Sequence, residues 1–289
     1  MKAVADLHMH TNHSDGTLNP TELAQLAKAQ KVDAVALTDH DTVTGIGELV
    51  AETNRLGLEA LAGVELSAQF HPGTLHILGY GFDPQGSIRE KLIQFQKARA
   101  ERNPQILKKL KEMGMPLTLE EVKSLSKAKG QIGRPHIARA MEAKSYVKNY
   151  EEAFDRYLTK GGPAYVPKAS WSAKDCIDMI HESGGVAVVA HPVQMKLQGM
   201  DLRKKVEELG QMGIDGLEVI HPDHSPEDQA KFTALAEEFG LLTTGGSDFH
   251  GDHKPGIQLG QGRPPYLFLE RLRDRIKNRR QETGMGTSK

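Results

Sequence analysis

Three histidines and two aspartates fall within ten positions of the run ADLHMHTNHSDGT (5–17), directly after a short apolar start. Imidazoles and carboxylates are metal-ligand chemistry when they converge, and ordinary loop polarity when they do not. His8 and His10 are two residues apart, and alternate residues of a strand point to one face. A strand ending near Leu7 would therefore aim both at one ion. One such pair is weak evidence, because histidines also serve as core and surface residues. The test is whether other strands deliver ligands to the same end.

Seven short apolar runs supply candidate strands: AVADLH (3–8), DAVALTDH (33–40), LEALAGVE (58–65), TLHILGYGF (74–82), GVAVVAH (185–191), GLEVIH (216–221) and LLTTGGSD (241–248). Nearly continuous Val, Ile, Leu and Ala runs are the pattern of parallel strands covered by helices. Helical stretches lie between them. NPTELAQLAKAQ offers Asn19 or Thr21 as cap with Pro20 in the first turn, and SPEDQAKFTALAEEFG offers Ser225, then Pro226, with Gly240 as the stop. SAKDCIDMIHESGG closes on Gly184. The alternation predicts an α/β fold, and seven units favour a closed barrel over an open sheet. It breaks from Asp83 to about Val166, where the chain reads as helix throughout. The expected organisation is a first barrel part over 1–82, an all-helical insertion over 83–166, a second barrel part over 167–275 and a flexible polar tail over 276–289.

On these strands His8, His10 and Asp15 belong to the end of the first, His40 to the second, Glu65 to the third and His76 to the fourth. His191 ends the fifth, and Asp248 with His250 the seventh. Barrel enzymes assemble their sites at the C-terminal ends of the strands. So many ligand types at corresponding ends make a metal centre the better reading. Six histidines and three carboxylates without a thiolate suit Mn²⁺, Fe²⁺ or Zn²⁺ over Mg²⁺ or Ca²⁺. Nine ligands exceed the need of one ion, so two or three ions sharing bridging groups are expected.

The segments DLHMHTNHSDGT, ALTDHDTVTG, GVELS, HILGY, VVAHP and GGSDFHG, in this order over residues 1 to about 265, resemble the polymerase-and-histidinol-phosphatase (PHP) superfamily. The resemblance implies a distorted seven-stranded, TIM-like (β/α) barrel with a trinuclear metal centre, Mn²⁺ first among the candidates. His8, His10, Glu65 and Asp248 would hold one ion, and Glu65, His76 and His191 a second, with Glu65 bridging. Asp15, His40 and His250 would hold the third. The expected nucleophile is a metal-bridging hydroxide held by Glu65, with Asp248 and His191 nearby. Within the insertion, IGRPHIARAM followed by AFDRYLTKGGPAYVP resembles the subgroup that removes phosphate from nucleoside 3′,5′-bisphosphates and trims short RNA from the 5′ end. Small nucleotides and short single-stranded RNA are then the implied substrates, with no obligate protein partner. The runner-up is a histidinol-phosphate-type or other small-molecule phosphomonoesterase.

Arg134 in GRPH is the candidate phosphate fork, with His136 and His221 as further substrate-binding candidates. His221 and His224 sit in EVIHPDHSPED, where the subgroup wording varies, so neither is assigned to a metal. Asp41 either orients a ligand histidine or stabilises a turn. Trp171 and Tyr165 read as packing, as does Cys176, and Lys168 follows the insertion. His13, His71, His181 and His253 read as exposed or peripheral residues.

Composition narrows the classes further. The chain has 289 residues and one cysteine, Cys176, which excludes a disulfide framework and a cysteine-rich zinc site. Its start carries Asp6 and histidines where a leader would need an apolar run, so a cytoplasmic, membrane-free protein is expected. Residues 83–168 carry 18 Lys and Arg against 10 Asp and Glu, and the remainder 19 against 28. A basic segment beside an acidic body suits a metal site with an anionic substrate, although charge by itself favours plain solvated helix faces. Two other classes compete. An amidohydrolase-type barrel would want a bridging lysine at a strand end, where this chain has Glu65. A non-catalytic PHP scaffold would tend to lose ligands, and this chain keeps all nine.

Overall fold

The computed structural model describes residues 3–125, 133–167 and 170–282. Lys168 and the end of the TLEEVKSLSKAKG stretch lie outside the described residues. The chain divides into two compact units, residues 1–92 with 170–289, and residues 93–169.

The first unit carries one seven-stranded sheet in the order β1 to β7: β1 (Ala5–Asp6), β2 (Ala34–Leu37), β3 (Glu59–Ala68), β4 (Leu75–Tyr80), β5 (Val186–Val189), β6 (Gly216–Ile220) and β7 (Leu242–Gly245). Bonds beyond the regular ladders nearly close it into a barrel. Leu7 N donates to Gly245 O (3.2 Å), Asp248 N to His8 O (2.8 Å) and His10 N to Phe249 O (2.9 Å).

The parallel pattern read from the apolar runs does not extend to one strand. β4 runs antiparallel to both β3 and β5, while the other neighbours are parallel. Only residues 69–74 join β3 to β4, and a parallel crossover needs a dozen residues or more, so the chain turns back as a hairpin. The reversal matters for the site. His76 stands at the beginning of β4, and the reversed direction brings that beginning to the end of the sheet where its neighbours finish. β3 likewise continues past Glu65 to Ala68, as the arm that pairs with β4.

Helices α1 (Pro20–Ala29) and α2 (Ile46–Leu56) connect the first three strands. α3 (Ser87–Glu112), α4 (Leu119–Leu125), α5 (Arg134–Ala143) and α6 (Tyr150–Ala153), the last continued by a π-helical turn at Phe154–Leu158, follow β4. α7 (Ala173–Glu182), α8 (Gly199–Gln211), α9 (Pro226–Glu238) and α10 (Leu267–Glu282) belong to the first unit. The helix starts follow local chemistry. Asn19 caps α1 by accepting from Glu22 N (2.8 Å), and the Glu22 carboxylate accepts from Asn19 N (2.9 Å). Ser225 with Asp228 and Ser172 with Asp175 form the same reciprocal cap on α9 and α7.

Two apolar layers follow from strand alternation. Ala34, Ala36, Leu78, Tyr80, Val186 and Val188 share one cluster, closed by Leu269, Leu272 and Ile276 of α10. The alternate residues Val35, Leu37, Ile77, Ala187 and Val189 join the helix residues Leu23, Leu49, Ile177 and Val206 in the other. Cys176 is fully buried in α7, and burial pushes its thiol pKa up. The polar tail expected from residue 276 is corrected in its first half, because α10 runs on to Glu282. Arg275 and Arg279, one turn apart, both donate to the buried Asp215, and Arg280 donates to Gly81 O.

The second unit has its own core, in which Ile106, Leu110, Ile137, Met141 and Leu158 are buried together. It holds no strand among its described residues. No helix of the described residues is long and apolar enough to cross a membrane.

The close approach of β7 to the first strand's extension demands a glycine. A Cβ on Gly246 would lie 2.3 Å from His8 Cβ and 2.4 Å from His8 N. Gly246→Ala should cost about 1–3 kcal/mol in urea denaturation, the range for overpacking a tight site. Gly47→Ala, in α2 with nothing within 4 Å of the added methyl, is the control and should be neutral or stabilising. Equal stability of the two variants would show that the contact between these segments is loose.

Candidate metal centre

The site is built from strand ends and the residues just past them. His8 and His10 follow β1, in the segment bonded to Asp248 and Phe249 after β7. His40 lies three residues beyond β2 and bridges to Glu65 in the sheet. His191 follows β5. His191, Asp41 and Asp248 hold positive φ values of 25°, 53° and 51°, conformations that side-chain-bearing residues rarely adopt and that gather where function over-determines the backbone.

These segments converge on one carboxylate. Glu65 is 1% exposed, and five imidazoles surround it. Its Oε2 lies 3.2 Å from His8 Nε2, 3.1 Å from His10 Nε2 and 3.3 Å from His40 Nδ1. Its Oε1 lies 2.8 Å from His76 Nδ1 and 2.9 Å from His191 Nε2. Asp248 Oδ1 faces His8 at 3.4 Å and His10 at 3.2 Å. The half-exposed Asp15 faces His250 Nε2 at 3.3 Å and His10 Nδ1 at 3.5 Å. Three groups have ligand atoms mutually within 4.8 Å: His8, His10, Glu65 and Asp248; His40, Glu65 and His76; and His10, Asp15, His40 and His250. All nine ligand candidates are therefore gathered in one cluster. The first group is the expected one. In the other two, His40 and His10 also take part, while His191 contacts Glu65 from outside the second.

The donor set fits cations. His10 Nδ1 and Nε2, His40 Nδ1 and His191 Nδ1 are buried without a hydrogen-bond partner, which is costly unless an ion satisfies them. Two or three divalent ions match three overlapping ligand groups in which Glu65 serves twice.

The electrostatics follow from burial and proximity. Burial alone would push the pKa of His10 down, but its contacts with Asp248 and Glu65 outweigh this and raise it to about 9. His8 is raised well above its usual value against the same burial, by Glu218, Glu65 and Asp248. Burial wins at His40, lowering it to about 4, with His10 and His76 adding to the effect. Burial favours the neutral form of Glu65 and Asp248 as well, yet the surrounding imidazoles hold both below the usual carboxylate range.

A further layer of groups was not singled out by sequence reasoning. Glu218 in β6 is fully buried; it accepts from His191 N (2.7 Å) and His8 Nδ1 (3.0 Å). This bond turns His8 Nε2 towards the cluster. Asp6 accepts from Ser247 N (2.9 Å) and Gly260 N (2.6 Å), and Asp39 accepts from Thr11 N (2.7 Å) and Ser14 Oγ (2.6 Å). The one visible signal was an acid inside an apolar strand, as in GLEVI. His221 Nε2 lies 3.2 Å from Asp248 Oδ2, and His224 Nδ1 donates to Val219 O (3.0 Å). Asp41 accepts from Ser67 N (3.1 Å), joining its loop to β3.

The remaining candidates have local partners. Trp171 packs partly buried against the barrel core and accepts at its carbonyl from Gln69 N (2.7 Å). His181 pairs with Asp215 (2.8 Å), and His253 Nδ1 donates to Asp15 O (2.7 Å), so neither is a free surface residue. His13 is exposed and bonds Thr44 Oγ1. In the second unit His136 Nδ1 accepts from Gly133 N (3.0 Å), capping α5. Arg134 Nη1 donates to Leu158 O (2.9 Å) while its guanidinium lies over the Phe154 and Tyr165 rings at 5.9 and 5.7 Å. Arg102 donates to Val166 O (3.0 Å); its partial burial and the nearby Arg134 charge lower its pKa.

Two outcomes follow. Because Glu65 belongs to two ligand groups, Glu65→Ala should lower bound metal by more than one ion per chain, measured by elemental analysis after dialysis. Full occupancy in that variant would remove Glu65 as a bridge. The second concerns protons. With a folded pKa of about 9, His10 carries its extra proton at pH 7.5 in metal-free protein, and the raised pKa of His8 works in the same direction, so ions must displace protons. Apparent metal affinity should therefore rise from pH 6.5 to about 9. Calorimetric titrations at pH 7.5 in two buffers of different ionisation enthalpy should show net proton release; equal heats in both would contradict the assignment.

Comparison with known proteins agrees with this geometry. The PHP domain model matches residues 6–162. A 5′-3′ exoribonuclease of Haemophilus influenzae is 38% identical over 85% of this chain and 89% of its own length. A 3′,5′-nucleoside bisphosphate phosphatase of Chromobacterium violaceum is 34% identical over 88% and 90%. A crystal structure from Bifidobacterium adolescentis, of a protein proposed to be a metal-dependent phosphoesterase, superposes with a TM-score of 0.68 at 31% identity, over 94% of this chain and 96% of that one. With strands, ligand cluster and relatives in agreement along most of its length, the chain belongs to the PHP domain family.

Proposed function

We propose that this chain is a divalent-metal-dependent phosphoesterase that removes the 3′-phosphate from nucleoside 3′,5′-bisphosphates and trims short RNA from its 5′ end. The observation that carries the reading is the gathering of five imidazoles on the buried Glu65, within overlapping groups of metal-ligand side chains, in a chain similar over most of its length to a bisphosphate phosphatase and an exoribonuclease. Mn²⁺ is the first candidate on the His and carboxylate donor set, followed by Fe²⁺ and Zn²⁺.

His8, His10, Glu65 and Asp248 would hold one ion; Glu65, His76 and His40 or His191 a second; Asp15, His40 and His250 a third. Divalent ions at such a cluster supply an activated water and neutralise charge developing on the phosphate oxygens. The protein's part is to orient the donors. Glu218 fixes the His8 ring through Nδ1, and His250 Nδ1 donates to Asp248 O (2.7 Å), which leaves its Nε2 for the ligand side. No side-chain nucleophile is required, in keeping with the burial of Cys176.

Arg134, with Arg102 beside it, is the candidate phosphate-binding pair of the helical unit. The two guanidiniums donate to backbone carbonyls and lie near enough for one to depress the pKa of the other, an arrangement that an anion relieves. This favours a bisphosphate over histidinol phosphate. The test is phosphate release from adenosine 3′,5′-bisphosphate, 3′-AMP, 5′-AMP and histidinol phosphate with Mn²⁺ present. The bisphosphate should have the highest kcat/KM, and Arg134→Ala should lower it by about 1.5–3 kcal/mol, the value of a hydrogen bond to a charged group. The loss should largely vanish for 3′-AMP. Preference for histidinol phosphate would replace this reading with the runner-up.

A further inference from the structure

One cation stands against the metal cluster without a role in it. Lys254 follows the 3₁₀ turn Gly251–His253, and its Nζ lies 2.5 Å from Asp248 Oδ2. The loop that carries it is pinned at several points. Asp252 N donates to Thr17 Oγ1 (3.1 Å), His253 Nδ1 to Asp15 O (2.7 Å) and Lys254 N to Gly251 O (3.2 Å). The ammonium is thus placed by the fold rather than by a drifting side chain.

The two oxygens of Asp248 divide their work. Oδ1 faces the His8 and His10 ring nitrogens at 3.4 and 3.2 Å, inside the ligand group. Oδ2 takes His221 Nε2 at 3.2 Å and Lys254. An ammonium one carboxylate's width from a polynuclear cation site weakens metal binding by Coulomb repulsion, so as a device for holding metal it is counterproductive. It is favourable when an anion shares the site. Lys254 has three N–H donors, the contact with Asp248 uses one, and its side chain is 41% exposed. The remaining donors are open to an anion that reaches this exposed side chain.

We infer that Lys254 is a substrate-binding residue that donates to an oxygen of the phosphoryl group held at the metal cluster. Its contact with Asp248 holds the ammonium beside the ions, and the phosphate dianion accepts the donors that Asp248 leaves open. The inference rests on the phosphoesterase reading of the cluster but not on the nucleotide part of the substrate.

Inorganic phosphate, a product, is the probe. Isothermal titration calorimetry on metal-loaded wild type, Lys254→Met and Lys254→Arg should show phosphate affinity lowered roughly tenfold or more in Lys254→Met, as for loss of a hydrogen bond to a charged group, and largely kept in Lys254→Arg. Elemental analysis of the same samples should show undiminished metal. Phosphate affinity in Lys254→Met within twofold of wild type would overturn the inference. So would loss of metal from that variant, since Lys254 would then act only by positioning Asp248. Lys254→Gln, which keeps a polar tip, supplies the same comparison if Lys254→Met fails to fold. If wild type prefers another phosphomonoester to the bisphosphate while Lys254→Met still loses phosphate affinity, the substrate assignment falls and the role of Lys254 stands.

Discussion

A carboxylate 1% exposed, with five imidazoles within 3.3 Å, is the constraint on which the rest of the architecture depends. Burying an ionised Glu65 is expensive, and the expense is met only by positive charge held close and in good geometry. In metal-free protein the imidazoles supply that charge, as the raised pKa of His8 and His10 indicates. Divalent ions held there would supply it with far higher charge density and displace those protons.

Holding five rings around one carboxylate requires five segments of chain to end at the same place, which the barrel provides. The donors come from the ends of β1, β2 and β5, from within β3 and from the reversed β4, and buried acids behind them tie some of these segments together. Glu218 ties β6 to His8 and to the backbone of His191. Asp6 ties the first strand to Ser247 and Gly260, and Asp39 holds the loop that carries Asp15. These buried acids carry no ligand role, but loss of any one would free a ligand-bearing segment.

Charge is arranged differently in the helical unit. There the arginines Arg102 and Arg134 find backbone carbonyls and aromatic faces. Carbonyls and rings orient a guanidinium without neutralising it, so its charge stays available to a phosphate. At these two positions the basic excess of residues 83–168 is packed against carbonyls and rings and not simply solvated.

The sequence by itself determined the α/β class, the list of ligand candidates and the family, because short apolar runs ending in His, Asp or Glu are local patterns. The antiparallel turn into β4 was not legible, because the apolar run of β4 alone reads like its parallel neighbours and the shortness of the link appears only once β3 is seen to run on to Ala68. Only the tertiary structure decided which acids are buried. Glu218 and Asp6 sit in strands covered on both faces, where periodicity cannot say which way a residue points. It also decided that Lys254 meets Asp248 and that α10 continues to Glu282 through Arg279 and Asp215. A charged residue in a polar segment reads the same whether it is solvated or paired, and its partner here comes from another element of the fold.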